Sequence, residues 1–247
     1  MARKHLTGMP IIVGDVLRFV VDLLMHLAAL LAAALAFVAL WRGEVLWRQL
    51  LAFPAAYCAF VAAFLAAVLL LRLLCVRRVV PGRYSIRAPE ALPWILADEL
   101  WRMLQRSFLR RVIADFGPQR WFFYRLMGAR IDRTFFIGWG ARILDPWALE
   151  VGRDAVIGAG AVICGHVLEG GIVTIEAVRI GAGATVGVGA IVFPGVEVGP
   201  GAIVAAGAVV TKGTVIPAGE VWAGVPARKI GVVGEPENRE APVDRPQ

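Results

Sequence analysis

The sequence predicts a mainly β protein whose C-terminal half is a parallel β-helix of six-residue repeats, preceded by a hairpin of two membrane-spanning helices and an amphipathic helical connector. Two patterns support this prediction. The first third of the chain contains two apolar runs long enough to cross a bilayer, and the second half carries an apolar residue at every sixth position. The composition agrees, since 59% of the 247 residues are hydrophobic, and the net charge is +7.

The two apolar runs define a membrane hairpin over residues 1–78. Residues 23–41 contain His26 as their only strongly polar side chain, and residues 51–71 carry no charge. A helix of about 20 apolar residues crosses the hydrocarbon core, so each run predicts one span. Arginine and lysine cluster before the first span and after the second, which predicts that both termini, and with them the C-terminal half, lie on the cytoplasmic side of the inner membrane. A cleaved signal peptide is the alternative for the first run, but a second span follows it at once.

The pattern of residues 79–127 predicts an amphipathic connector, which contains a helix over residues 90–115. Its apolar stripe recurs at helical spacing and consists of Ala97, Trp101, Leu104, Phe108 and Val112. The opposite side is rich in arginine. Two interpretations remain open: the helix lies among lipid headgroups, or it packs on the next domain. The connector accounts for much of the positive charge, and the sequence has no nucleic-acid-binding motif.

The β-helix is predicted over residues 128–230. The apolar positions with a period of six are Ile180, Val186, Val192, Val198, Val204, Val210, Ile216 and Trp222. This period matches neither an α-helix nor an isolated strand, but it fits short strands joined by tight turns, with three repeats closing one triangular coil. Glycines that directly follow several of these residues are expected to supply backbone angles that other residues resist. Residues 231–247 are polar and rich in proline, which predicts a disordered tail.

The repeat is interrupted twice. Its upstream members are Ile131, Ile137, Ile143 and Leu149, and then, after a slip of two residues, Val151, Ile157 and Ile163. The register breaks again between residues 165 and 176. A break in a strict solenoid predicts that a segment is extruded from it, here the loop 166–171.

These patterns resemble the hexapeptide-repeat acyltransferases. Isoleucine or valine followed by glycine in a six-residue repeat is typical of that superfamily, and residues 221–228, Val-Trp-Ala-Gly-Val-Pro-Ala-Arg, are similar to the tail motif of the maltose and galactoside O-acetyltransferases. The layout of residues 80–230 also resembles the C-terminal region of polylysine-synthetase-type nonribosomal peptide synthetases. The resemblance implies a left-handed coil, a homotrimer with the donor held between neighbours, and an acyl thioester donor, normally acetyl-CoA.

The repeat domain contains one histidine, His166, and it lies in the extruded segment. Histidine is suited to proton transfer near neutral pH, and the family motif places its catalytic base in such a loop. We therefore expect His166 to be the general base rather than a structural histidine. A single histidine also excludes the three-histidine zinc site of carbonic anhydrases with this fold, so no metal is expected.

A carboxylate that orients the base is expected beside His166. Residues 18 apart stack on successive coils, and the slip of two places Asp145 one coil below residue 165. Asp145 is therefore the first candidate, although it is also positioned to cap the turn before Pro146. Glu169, inside the extruded segment, is the second candidate. Cys164 lacks the electropositive surroundings that activate a thiol nucleophile.

The later coils carry the candidates for donor binding. Thr211, Lys212 and Arg228 match family positions that contact CoA, and Lys229 adds a further exposed cation. The predicted function is acetyl-CoA-dependent O- or N-acetyl transfer to a membrane-associated acceptor such as a lipid-linked sugar. One alternative is a transferase that takes its acyl group from a carrier protein and forms amide bonds; the absence of a carrier domain here weighs against it. Another is a non-catalytic trimeric membrane scaffold, which His166 disfavours.

Overall fold

The computed structural model describes residues 9–41, 46–75, 79–106 and 117–234, and the chain divides into two compact units. The first unit contains helices α1 (Met9–Trp41) and α2 (Leu46–Cys75) and most of helix α3 (Leu92–Arg106). The second unit contains residues 80–92 and the described part of the chain after residue 113. Helix α4 (Gly117–Leu126) and all eighteen strands belong to this second unit.

Helices α1 and α2 form an antiparallel pair. Phe37 packs on Phe53 with ring centroids 5.1 Å apart, and His26, in the middle of α1, packs on Phe64 at 5.0 Å. Both helices are longer than the predicted spans. The stretches Phe19–Trp41 and Leu46–Leu73 are long and apolar enough to cross a membrane by length and composition, and only 11% and 17% of their most apolar windows is buried. Their leucines therefore form a large exposed apolar surface.

The apolar stripe of the connector helix is buried in α3. Ala97, Trp101 and Leu104 are each no more than 3% exposed, so in this part of the chain the stripe faces protein. On the polar side, Arg102 pairs with Asp98 at 2.7 Å. The two remaining members of the predicted stripe, Phe108 and Val112, lie outside the described residues.

The second unit is a solenoid of parallel strands arranged in three sheets. The first sheet contains β2 (Arg130–Ile131), β5 (Leu149–Val151), β10 (Val178–Ile180), β13 (Glu197–Val198) and β16 (Val215–Ile216). The second contains β3 (Phe136–Ile137), β6 (Val156–Ile157), β11 (Thr185–Val186), β14 (Ile203–Val204) and β17 (Glu220–Gly224), with β18 (Ala227–Val232) added antiparallel at its end. The third contains β4 (Arg142–Ile143), β7 (Val162–Ile163), β12 (Ile191–Val192) and β15 (Val209–Val210). Consecutive strands thus visit the three sheets in turn, as the period of six predicts.

The predicted inward positions form the core. From Ile131 to Ile216 every one of them is buried, whereas Trp222, in the last coil, is half-buried. Stacked residues are 18 apart in the later coils, as in the pair Arg179 and Glu197, and 20 apart where the slip occurs, as in Arg130 and Glu150. The predicted change of register is therefore confirmed.

The glycines have two distinct roles, and the expected left-handed angle occurs at the turns rather than directly after the inward residues. Gly187, which directly follows an inward residue, is not in the left-handed region; instead, a Cβ there would lie 2.5 Å from the amide nitrogen of Ala206 in the next coil. Close stacking of coils therefore requires glycine at this position. The left-handed angle belongs to glycines such as Gly207, with φ of 69° and no atom near its Cβ direction.

Helix α4 covers the N-terminal end of the solenoid. It begins at Gly117, just beyond the helix that the sequence predicts over residues 90–115. Pro118 suits this start because proline is favoured in the first turn of a helix. Trp121 Nε1 donates to Ile131 O at 3.1 Å and the Arg120 guanidinium donates to Ile137 O at 2.6 Å. These bonds satisfy first-coil carbonyl groups, so α4 closes the end of the β-helix.

Candidate active site

The extruded segment is a β-hairpin rather than an irregular loop. Strands β8 (His166–Glu169) and β9 (Ile172–Ile175) pair antiparallel across the turn Gly170-Gly171. Both glycines have positive φ, 59° and 81°, as a two-residue hairpin turn of this kind requires. The hairpin leaves the solenoid after β7, at the corner where the third sheet passes to the first. We name this edge the third corner; it comprises residues 144–148, 164–177, 193–196 and 211–214.

A strand from outside the repeat supports the hairpin. β1 (Gly82–Ser85) pairs antiparallel with β9, and Ile86 N donates to Gly171 O at 3.0 Å. The sequence assigned residues 79–127 to a separate connector, but residues 80–92 lie in the same compact unit as the β-helix. β1 and β9 lie far apart along the chain, so the sequence did not predict that they pair.

His166 and Asp145 meet at the third corner. Asp145 Oδ2 lies 2.6 Å from His166 Nδ1 and 2.9 Å from Gly165 N, so this oxygen accepts two hydrogen bonds from the next coil. The Asp145 side chain is fully buried, and that of His166 is 18% exposed. Asp145 makes no side-chain bond within the turn that it precedes. The turn-capping alternative is therefore wrong, whereas the stacking of Asp145 under residue 165 is confirmed.

The pair depends on a glycine between the two coils. A Cβ on Gly165 would lie 2.7 Å from Ala148 Cβ and 2.9 Å from Asp145 Cβ. Any side chain at this position would push the coils apart and lengthen the bond between Asp145 and His166.

Cys164 lies beside the pair and takes part in the backbone structure of the hairpin. Its Sγ lies 2.8 Å from the carbonyl oxygen of His166, so the thiol donates to that oxygen. Within the described ranges, Asp145, Cys164 and His166 form the one group of metal-ligand atoms that lie within 4.8 Å of one another and have the composition to hold an ion. All three already make hydrogen bonds in this arrangement.

Glu169 does not lie beside His166. It occupies the turn end of the hairpin, where its Oε2 binds Lys212 Nζ at 2.7 Å, whereas His166 occupies the base. The ion pair connects the hairpin to the third corner two coils further on. Both side chains are more than half exposed, so the pair contributes at most about 1 kcal/mol.

The four predicted donor-binding residues fall into two groups. Thr211 and Lys212 lie on the third corner, as His166 does. Arg228 and Lys229 lie instead on β18, at the end of the second sheet. Arg228 donates to the carbonyl oxygen of Ala227 at 2.8 Å, and Lys229 Nζ binds Glu220 Oε1 at 2.6 Å.

The neighbours of Glu220 stabilise its carboxylate form. Hydrogen bonds from Lys229 and from Trp222 Nε1 lower the pKa of its carboxyl group below the ordinary 4.5. The positive charge of Lys229 is therefore balanced within the last coil.

The repeat is matched by a known family. Residues 177–212 match the hexapeptide repeat of succinyl-transferase. This match confirms the predicted hexapeptide repeat over that part of the chain. None of the curated proteins is significantly similar to the chain in sequence.

Three solved structures are among those similar to part of this chain. A maltose O-acetyltransferase from Clostridium difficile 630 is 20% identical, with a TM-score of 0.47 over 63% of this chain and 94% of its own. A galactoside acetyltransferase in complex with coenzyme A is 21% identical, with a TM-score of 0.45 over 62% of this chain and 87% of its own. A variant N-acyltransferase from Bacillus cereus, in complex with a dTDP-amino sugar and coenzyme A, is 19% identical, with a TM-score of 0.39 over 42% of this chain; the match spans 62% of that protein.

Proposed function

We propose that the protein is a membrane-anchored acyltransferase that transfers an acyl group, normally acetyl from acetyl-CoA, to a hydroxyl or amine of a membrane-associated acceptor such as a lipid-linked sugar. The observation that carries this proposal is the hydrogen bond between His166 and the buried Asp145. Burying a carboxylate costs free energy that only its hydrogen bonds offset. An apolar side chain would fill the coil at lower cost, so chemistry explains the pair better than packing does.

In the proposed mechanism His166 is the general base. An ionised Asp145 accepts the Nδ1–H of His166, which makes Nε2 the basic nitrogen. When the acceptor attacks the thioester carbonyl, Nε2 takes its proton and Asp145 stabilises the imidazolium. The C–S bond of the tetrahedral intermediate then breaks, and His166 returns the proton to the CoA thiolate. The acyl group passes directly to the acceptor, so Cys164 has no part in the chemistry.

Lys212 and Thr211 are proposed to bind the donor beside His166. Lys212 already binds one anionic oxygen, Oε2 of Glu169, and a CoA phosphate would accept the same charge-assisted hydrogen bond. Arg228, on the second sheet, is proposed to serve the donor of a neighbouring copy, with Lys229 beside it. The family resemblance, which implies a trimer that binds donor between chains, supports this division.

Membrane attachment is proposed from the first unit. The exposed apolar surfaces of α1 and α2 are unfavourable in water and suited to lipid. With both termini in the cytoplasm, the active site has access to acetyl-CoA, and a trimer carries six membrane helices. Attachment also raises the effective concentration of a membrane-bound acceptor at the site.

The proposed function is tested by measuring the transfer of radiolabelled acetyl groups from acetyl-CoA to lipid. Full-length protein in nanodiscs is supplied with a lipid extract from the producing cells, and label in the lipid fraction is counted. We expect labelled lipid with the wild type and a loss of most of it with Lys212→Ala at low acetyl-CoA, restored at high concentration. Label that never enters the lipid fraction, while small soluble alcohols or amines are acetylated, contradicts the proposed acceptor class but not the acyl transfer.

A further inference from the structure

The N-terminal end of the β-helix carries an unusual exposed surface, which we name the N-terminal rim. It comprises α4 and the first coil, residues 117–143. Three large aromatic side chains project from it: Phe122 is 56% exposed, Phe136 57% and Trp139 88%. The core does not need them, because the inward side of α4 is filled by Phe123, Tyr124 and Met127, all buried. The function proposed above gives these aromatic residues no role.

The rim is also the basic end of the solenoid. Residues 117–143 contain five arginines and one aspartate, whereas residues 196–230 contain three basic and two acidic residues. The aspartate, Asp132, has its carboxylate turned to Thr134, whose backbone N–H and hydroxyl both donate to it. The positive charge therefore concentrates at the end that carries the exposed aromatic side chains.

Two of the five arginines are engaged within the protein, since Arg120 donates to Ile137 O and Arg130 pairs with Glu150 at 2.8 Å. The other three face outward. The guanidinium groups of Arg125 and Arg133 lie 5.8 Å and 4.9 Å from the ring centroid of Trp121, and both residues are exposed. Trp121 is itself fixed by its bond to Ile131 O. This packing limits the freedom of the arginine side chains without neutralising their charge. Arg142 adds a further exposed cation on the third sheet.

We propose that the N-terminal rim binds the anionic headgroup layer of the membrane. Aromatic rings favour the interface between hydrocarbon and water, and arginine bonds lipid phosphate. A cationic side chain near an anionic surface contributes about 1 kcal/mol, so several together hold a domain at the bilayer. The inference depends on the proposed membrane attachment but not on acyl transfer. Binding of the rim to headgroups orients the solenoid on the bilayer. The distance between the active site and a membrane-bound acceptor is thereby limited.

The test uses an environment-sensitive fluorophore on a single cysteine. Cys58, Cys75 and Cys164 are replaced by serine, and W139C or, independently, F136C is labelled in the full-length protein. Both side chains are largely exposed, so their replacement removes little packing. V225C is the matched control, because Val225 is a 74% exposed apolar residue at the other end of the solenoid. Nanodiscs contain either phosphatidylcholine alone or phosphatidylcholine with phosphatidylglycerol.

We expect a blue shift at W139C and F136C in the anionic nanodiscs, reduced in neutral nanodiscs and in high salt, and no shift at V225C. The double variant R133E/R142E removes two cations, each worth about 1 kcal/mol at an anionic surface. It should therefore lower the ratio of lipid-bound to free rim by about 30-fold or more. Equal emission in both kinds of nanodisc overturns the proposal while leaving the membrane anchor intact. A blue shift of the same size in a nonionic detergent also overturns it, because the rim is then covered without any anionic headgroup. Protein that enters neither kind of nanodisc overturns the rim and the anchor together.

Discussion

Replacement of Asp145 by asparagine isolates the charge of the pair from its geometry. Asp145 Oδ2 accepts hydrogen bonds from His166 Nδ1 and Gly165 N, and an amide oxygen in its place can accept both. The variant therefore keeps the shape of the site and loses the negative charge that stabilises the imidazolium. A hydrogen bond to a charged group is worth about 1.5–3 kcal/mol, which corresponds to a loss of about 10- to 150-fold in kcat.

The assay is release of the CoA thiol at saturating acetyl-CoA, measured with full-length protein in nanodiscs that contain the acceptor lipids. Acetyl-CoA affinity should be unchanged, because Asp145 is buried beneath the hairpin and does not reach the donor. Asp132→Asn is the control, since that carboxylate also accepts two hydrogen bonds but lies between β2 and β3, at a different corner from His166. A wild-type kcat for Asp145→Asn, or a loss larger than that of His166→Ala, would refute the assignment of Asp145 as the residue that orients the base.

Three further predictions test other parts of the structure. Gly187→Ala should destabilise the β-helix by about 1–3 kcal/mol more than Gly231→Ala, measured by chemical denaturation, because the Cβ at Gly187 would meet the backbone of the next coil at 2.5 Å, whereas Gly231 has no left-handed angle and no atom within 4 Å of its Cβ direction; equal losses would contradict the stacking. Glu169→Gln should leave CoA affinity unchanged or raise it in calorimetric titration, because it releases Lys212; a clear loss of affinity would show that the ion pair itself builds the donor site. Glu220 has a lowered pKa, so its stabilising effect is complete above pH 4.5 and is lost as the pH falls through the folded-state value; the thermal stability of Glu220→Gln should therefore converge with that of the wild type in acid, and a difference that persists there would be evidence against this linkage.

The periodic part of the fold could be predicted because its cause is local. Each six-residue repeat places one apolar side chain on the axis, so the positions from Ile131 to Ile216 identify the core without knowledge of distant contacts. The same arithmetic predicted the most important contact of the candidate site. The slip of two residues after Leu149 aligned Asp145 with residue 165, and the structure places Asp145 within hydrogen-bond distance of His166.

The remaining features depend on partners that the repeat does not specify. The pairing of β1 with β9 joins strands separated by the first two coils and two α-helices, and each strand is too short to identify its partner. The ion pair between Glu169 and Lys212 joins residues 43 apart. It forms because the turn end of the hairpin lies beside the third corner two coils further on. The sequence treated the hairpin as an irregular loop and so left the position of Glu169 undetermined. The role of Gly187 was misjudged because a close backbone approach between coils has no signature in the chain itself.

The most direct test of the central claim separates chemistry from binding in His166→Ala. The amount of acetyl-CoA bound is measured by calorimetry, and release of CoA is then followed in a single turnover with the donor saturating and the acceptor lipids present. We predict unchanged acetyl-CoA affinity and a rate lowered by about 10²–10⁴-fold, the range that general-base catalysis supplies. A folded His166→Ala variant that releases CoA at the wild-type rate would contradict the role of His166 as the general base.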